Sequence, residues 1–428
     1  MPATPAPDAH NVSGGLSAGR HYLGLLALII AGEVIFSLPF HIPRFFRPTM
    51  LEVFDLSNTQ LGDIFALYGV VAMLAYFPGG TLADRFPARK LMAFSLLATA
   101  LGGFYLYTLP GRTGLYILFA YWGLTSILLF WAAMIKATRE WGGSHEQGLA
   151  FGVLDGGRGL VASLLASLAV LILAQRLVGT ADNQAGLQSV ILFYSVATVL
   201  AAVIVWFALP KAQDKAAATH SNEQTAERPH WRQVLRERSV WLQAGVVVCA
   251  YCGYKSLDNY GVYAVEVLNM NQLQAAELTT YASYSRPVAA IAAGLWADRW
   301  RSSGVITVLF ALGAIAFFLM RGFAGVLPGS LIITNVVITF VAVYALRGIY
   351  FSLIEEAKLD ARITGSAVGL ISLLGFTPDI FFAALTGRLL DANPGAVGFG
   401  HYFLVMALIS ALGMVCTVVL ARRLGRRT

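Results

Sequence analysis

Residues 79–90 read GGTLADRFPARK and residues 292–301 read AAGLWADRWR. In each, a glycine is followed four residues on by Asp-Arg: Gly80, Asp84 and Arg85 in the first, Gly294, Asp298 and Arg299 in the second. Every member of the second set lies 214 positions after its mate, half of the 428-residue chain. A further echo, GLAFG at 148–152 and GSAVG at 365–369, is displaced by nearly the same amount. Two separate motifs at one offset point to a duplicated unit.

Both stretches follow long apolar runs. Hydrophobic residues make up 57% of the chain and charged ones 12%, against roughly 25% charged in soluble domains. A bilayer core takes about 20 apolar residues per helical crossing. Gly, Pro and charge clusters divide the sequence into twelve such runs, near 21–40, 61–82, 90–109, 114–136, 148–175, 187–209, 239–266, 278–298, 303–323, 329–354, 365–388 and 401–421. The runs are continuous, not alternating, so they read as helices and not barrel strands. The expected fold is an all-α polytopic membrane protein, with twelve transmembrane helices in two pseudo-symmetric six-helix bundles, 21–209 and 239–421. Residues 1–20 read as a disordered cytosolic tail, 210–238 as a cytosolic linker and 422–428 as a basic tail. The linker's end, HWRQVLRERSVW at 230–241, fits either a helix lying on the membrane surface or a solvated segment.

Most of the 30 Lys and Arg fall on one side if both termini are cytosolic. Arg44, Arg47, Arg112, Arg176, Arg321 and Arg388 are expected on the other side. That bias sets the topology and accounts for the net charge of +7 without nucleic acid. The three cysteines, Cys249, Cys252 and Cys416, lie in apolar runs and read as packing residues, since the C-x-x-C has neither a second ligand pair nor a redox-fold context. No cofactor, no metal and no enzymatic centre is expected. The expected partners are a small-molecule substrate and the lipid bilayer, with the chain working as a monomer.

At Gly80, Leu82, Asp84 and Arg85 the chain resembles the major facilitator superfamily, whose signature after the second span is G-x-L-x-D-R-x-G-R-K; Pro87 and Ala88 depart from it. The resemblance implies a carrier with a central site exposed to each side in turn. It also implies a cytosolic latch built from Gly80, Asp84, Arg85, Gly294, Asp298 and Arg299, with the glycines permitting close helix approach. The proton-linked drug antiporters of that family carry a Gly-Pro pair in the fifth span and an arginine upstream of a glycine in the fourth. GVLDGGRGL and the residues before Gly123 supply neither, so drug export is disfavoured.

Ionisable groups inside a bilayer cost about 2.5–3.5 kcal/mol each on insertion scales and mark function. Asp155–Arg158 and Lys255–Asp258 are spaced i, i+3 and so share a helix face. Arg286 has no acid near it in sequence. Arg158 and Arg286 are expected to face one midplane cavity, with Asp155 between them and a substrate carboxylate, phosphate or sulfonate able to replace it. Arg158, Arg286, Lys255, Tyr254 and Tyr284 are the candidate substrate ligands. Glu33, Asp258, Asp379 and Asp155 are the candidate proton carriers of a symporter. With Arg347 counted among the bases, four in-span cations balance four acids, so a zwitterion fits as well as an anion. Lys136 and Glu356 fall opposite one another in the repeat and are expected to close a cytosolic gate. A carrier-like solute sensor and an amphiphile transporter are the alternative functions.

Overall fold

The computed structural model describes residues 13–142, 147–180, 182–210, 231–322, 329–357 and 361–425. Residues 1–12 of the proposed tail (1–20), most of the linker (211–230) and residues 426–428 lie outside the described residues. The rest of that tail, 13–20, is not a disordered segment but the first turns of a helix that begins at Ser13. Among the described residues, twelve helical rods cross the molecule. The first six are α1 (Ser13–Val34, prolonged by Ser37–His41 and Ile42–Phe45), α2 (Asn58–Arg85), α3 (Ala88–Tyr107), α4 (Arg112–Gly142), α5 (Gln147–Thr180) and α6 (Asn183–Ala208). The second six are α7 (Arg238–Ser256 and Tyr260–Glu266), α8 (Gln272–Ser283 and Ser285–Arg299), α9 (Ser302–Gly322), α10 (Gly329–Ile349), α11 (Ala361–Gly375 and Pro378–Ala392) and α12 (Ala396–Gly425). Nine helices among the described residues are long and apolar enough to span by themselves, and bent α1 makes a tenth. The other two, α7 and α8, are shortened by breaks and carry Lys255, Asp258 and Arg286.

Leu74, Phe77, Phe94, Leu101, Phe207, Val288 and Leu295 are exposed on the outer surface, a belt of apolar side chains that only lipid satisfies. Inside, α7 to α12 share one continuous apolar core, while α1 to α6 hold two. The short segment Trp231–Arg236 is helical, with Val234 fully buried against the second core.

The duplication is visible in turn chemistry as well as in sequence. Ser57 and Gln60 form a capping box at the start of α2, and Asn271 and Gln274 form one at the start of α8. Both pairs stand 214 residues apart. Two residues before each cap the backbone turns left-handed, at Asp55 (φ 51°) and at Asn269 (φ 55°), positions that Asp and Asn tolerate better than other side chains. An even number of spans puts both chain ends on one face, here called the terminal face; these two capped turns lie on the opposite, far face.

Candidate functional site

Among the described residues, four spans are interrupted by breaks or bends, and each interruption lies beside an ionisable residue. In α1, Pro39 supplies no amide N–H to the helix ladder; the chain runs through a π-helical turn, Ser37–His41, and bends by 41°. Glu33 and His41 flank the bend. In α7 the 3-10 turn Leu257–Asn259 contains Asp258. The break of α8 at Tyr284 is two residues from Arg286, and that of α11 is two residues from Asp379. Broken helices of this kind place side chains and free backbone groups in a carrier's midplane. A second π-helical turn, Leu124–Trp131 in α4, places Trp131 with its ring centre 5.9 Å from the Arg158 guanidinium.

Glu33 is the hub of a first cluster. Its Oε2 accepts from Arg158 Nε at 3.1 Å. Its Oε1 lies 3.3 Å from Arg286 Nη1 and 3.1 Å from His41 Nε2. Arg286 Nη2 also meets Asp155 Oδ1 at 3.4 Å. Arg158 and Arg286 therefore do face one site, but the acid between them is Glu33 and not Asp155. The expected Asp155–Arg158 pair is not made: Asp155 turns to Arg286 and Arg158 to Glu33. The Asp155 side chain is 40% exposed against 5% for Glu33, so Asp155 is the partner that solvent or a solute can reach.

A second cluster lies mainly on the other bundle. Lys255 Nζ is 3.5 Å from Asp258, the expected i, i+3 pair, and 3.3 Å from Asp379. Arg44, contributed by the bent end of α1, also pairs with Asp258, and its Nη1 donates to the Tyr254 hydroxyl at 2.8 Å. Tyr251 donates to Asp379 Oδ2 at 2.9 Å. Two guanidiniums approach the Tyr254 ring, Arg44 at 4.3 Å and Arg347 at 3.8 Å from its centre. Tyr284 lies apart from these groups and shares a hydrogen bond of 2.9 Å with Ser167 on α5; it braces the seam between bundles.

Two expectations change here. Arg44 and Arg47 are not loop residues: α1 continues past Phe40, and both are buried. Charge is not balanced: Arg44, Arg47, Arg158, Lys255, Arg286 and Arg347 face only Glu33, Asp155, Asp258 and Asp379. Among the described residues no acid lies within ion-pair distance of Arg47, which meets Asn58 Oδ1 at 3.3 Å and 3.4 Å, or of Arg347. Each of the four carboxylates has a cation within 3.5 Å. Of the three guanidinium atoms buried without a hydrogen-bond partner among the described residues, Arg89 Nε lies on α3 near the terminal face, and Arg286 Nε and Arg347 Nη1 lie at this site, where both arginines act electrostatically on Asp155.

The two ends of the site differ. Towards the far face the bundles are in backbone contact. A Cβ on Gly62 would strike the Ala383 backbone, one on Gly69 the Asp379 backbone and one on Gly387 the Asn58 backbone. Asp391 accepts the amides of Asn58 and Thr59 at 3.1 Å and 2.7 Å, capping α2 from across the seam, and Arg388 pairs with Asp63 at 2.7 Å. Towards the terminal face, a Cβ on Gly80, Gly152, Gly156, Gly294 or Gly369 would meet nothing within 4 Å. The close approach expected at Gly80 and Gly294 is thus absent. Asp84, Arg85, Asp298 and Arg299 are exposed and make no ion pair among the described residues. Lys136 and Glu356 do not meet: Lys136 donates to the Ala83 carbonyl at 2.7 Å, and Glu356 caps α9 through Ser303 at 2.7 Å and 2.8 Å. Among the described residues the bundles meet backbone to backbone at the far end and show no such contact at the terminal end. By those residues the site is closed to the far face and open towards the terminal one.

A family profile described as Major Facilitator Superfamily matches residues 29–378. The chain is 28% identical over 409 residues to the inner membrane protein YihN of Escherichia coli (strain K12), covering 94% of this chain and 95% of that one. It is 24% identical to YybO of Bacillus subtilis (strain 168), described as an uncharacterized transporter, over 86% of each chain. Among solved structures it is similar to the nucleoside transporter NupG, with a TM-score of 0.70 at 10% identity, covering 95% of this chain and 98% of that one. It is also similar to a bacterial homologue of the human lysosomal transporter Spinster in an inward-facing, unoccupied conformation, with a TM-score of 0.69 at 13% identity over 97% and 98% of the two chains. These likenesses to solved structures establish the fold.

Proposed function

Because the chain belongs to the Major Facilitator Superfamily, we propose that it carries a small organic anion across the inner membrane by alternating access, taking it up together with protons. The observation that carries the anion is the pair of buried, unpartnered guanidinium atoms, Arg286 Nε and Arg347 Nη1, in a core where six cations face four acids. A carboxylate, phosphate or sulfonate supplies the missing acceptors with charge-assisted hydrogen bonds. It takes the place of Asp155, the most exposed of the four acids, on Arg286. Tyr254 holds Arg347 and Arg44 against its ring, which keeps both guanidiniums at the site.

The terminal face is the cytosolic one in this reading. Arg85, Arg89, Lys90, Lys136, Arg139, Arg299 and Arg301 all sit at that end, as the positive-inside bias requires. Proton coupling follows from electrostatics. Moving one negative charge inward against an inside-negative potential costs about 2.3 kcal/mol per 100 mV, and a co-transported proton offsets it.

The test is thermal unfolding of the purified protein against sugar phosphates, sulfonates, mono- and dicarboxylates, amino acids, neutral sugars and nucleosides. A ligand at 100 times its dissociation constant adds about 2.7 kcal/mol of stability. The expected result is stabilisation by an anion, lost in Arg286→Ala and in Arg347→Ala. Stabilisation by zwitterions or neutral solutes alone contradicts the reading.

A further inference from the structure

His41 is a buried imidazole at the hinge of α1. Its Nε2 lies 3.1 Å from Glu33 Oε1, the same oxygen that Arg286 Nη1 approaches at 3.3 Å. Its Nδ1 is buried and has no partner. From α6 the fully buried Tyr194 ring packs edge to face against it, with ring centres 5.8 Å apart at an interplanar angle of 76°, and its hydroxyl is also without a partner. A buried donor or acceptor left unpaired costs about 1–3 kcal/mol. With Nε2–H turned to Glu33, the unpartnered Nδ1 is the ring atom that can take up a further proton.

We propose that His41 is the proton-coupling residue of this carrier, protonated at Nδ1 when the anion binds. The inference rests on the anion reading above and moves the proton from the carboxylates to the imidazole. The ionisable groups around the ring are Glu33 on α1, Arg158 on α5, Arg286 on α8, Tyr194 on α6 and Arg44 one turn further along α1. The remaining neighbour, α3, meets this turn through Gly103 against Leu38. Glu33 thus has three basic claimants, and Arg286 is the one with other business. A charged imidazole together with Arg158 neutralises Glu33 and releases Arg286 to the anion. The anion in turn leaves Glu33 free to hold the imidazolium. Proton and anion each raise the affinity for the other by the same factor. The location also suits a moving part, because the proton lands on a π-helical turn whose irregular ladder permits adjustment.

The experiment measures the affinity of the full-length protein for sulfate and for methanesulfonate between pH 5.5 and 7.5, a range in which neither probe changes charge. His41→Gln keeps an N–H for Glu33 but cannot take up a proton. For wild type, affinity is expected to weaken with rising pH, approaching tenfold per unit. His41→Gln is expected to bind both probes with an affinity independent of pH. Arg286→Ala is expected to bind neither probe at any pH. A pH-independent wild type, or a slope that survives in His41→Gln, overturns the role of His41 while leaving the anion site intact. No binding by wild type at any pH removes the anion reading, and the coupling with it.

Discussion

Gly62 and Gly80 lie on one helix, about five turns apart, yet a methyl group on the first would strike the Ala383 backbone and on the second would meet nothing within 4 Å. The same contrast runs across the whole seam. At the far end, backbones touch at Gly62, Gly69 and Gly387, and a carboxylate from one bundle caps a helix of the other. At the terminal end the glycines face open space, and the charged residues bond within their own bundles. Small residues allow a close approach, but they do not enforce it. What differs is whether polar partners sit opposite one another, and between the two ends lie the buried charges that join the bundles. Arg44 crosses the seam to Asp258, and Arg286 crosses it the other way to Glu33.

The largest effect is expected at one of these buried crossings. Asp258→Ala leaves Arg44 and half of Lys255's pairing uncompensated, and is expected to cost about 3–5 kcal/mol, seen as a fall in melting temperature. Next is the glycine face itself. Gly62→Val and Gly69→Val force backbones apart at a cost of about 1–3 kcal/mol and are expected to raise thiol labelling of a cysteine placed on the far side of the cavity. Gly80→Val, meeting open space, is expected to leave that labelling as in wild type. Equal labelling in all three would break the contrast between the ends.

Smaller effects grade the far-side latch. Asp391→Ala removes an inter-bundle helix cap worth about 1 kcal/mol, and a modest rise in far-side labelling is expected. Arg388→Ala removes an exposed ion pair, which solvent screens, and is expected to change labelling least.

The halves of this molecule were legible because G-x-x-x-D-R repeats at a fixed offset, and the spans because lipid demands long apolar runs. The same offset also relates Ser57 to Asn271 and Asp55 to Asn269, but caps vary among Ser, Asn and Asp and so escape motif matching. The site was half legible. Arg158, Arg286 and Lys255 stood out as charges in apolar runs. His41, Arg44 and Arg47 did not, because Pro39 and Pro43 read as the end of a helix that in fact continues through a π turn. One pairing was misread for a physical reason: i, i+3 spacing brings Asp155 and Arg158 to one face, but each finds a partner on another helix, Arg286 and Glu33, whereas Lys255 keeps its i, i+3 partner Asp258. The open terminal end was illegible too, since a motif names the groups of a latch and not its state.

The central claim is tested most directly by uptake into proteoliposomes of the anion that most stabilises the purified protein, comparing wild type with Arg286→Ala at equal incorporation. The account predicts that a pH gradient acid outside drives accumulation by wild type, and that Arg286→Ala abolishes it while remaining folded. Undiminished uptake by Arg286→Ala would contradict it.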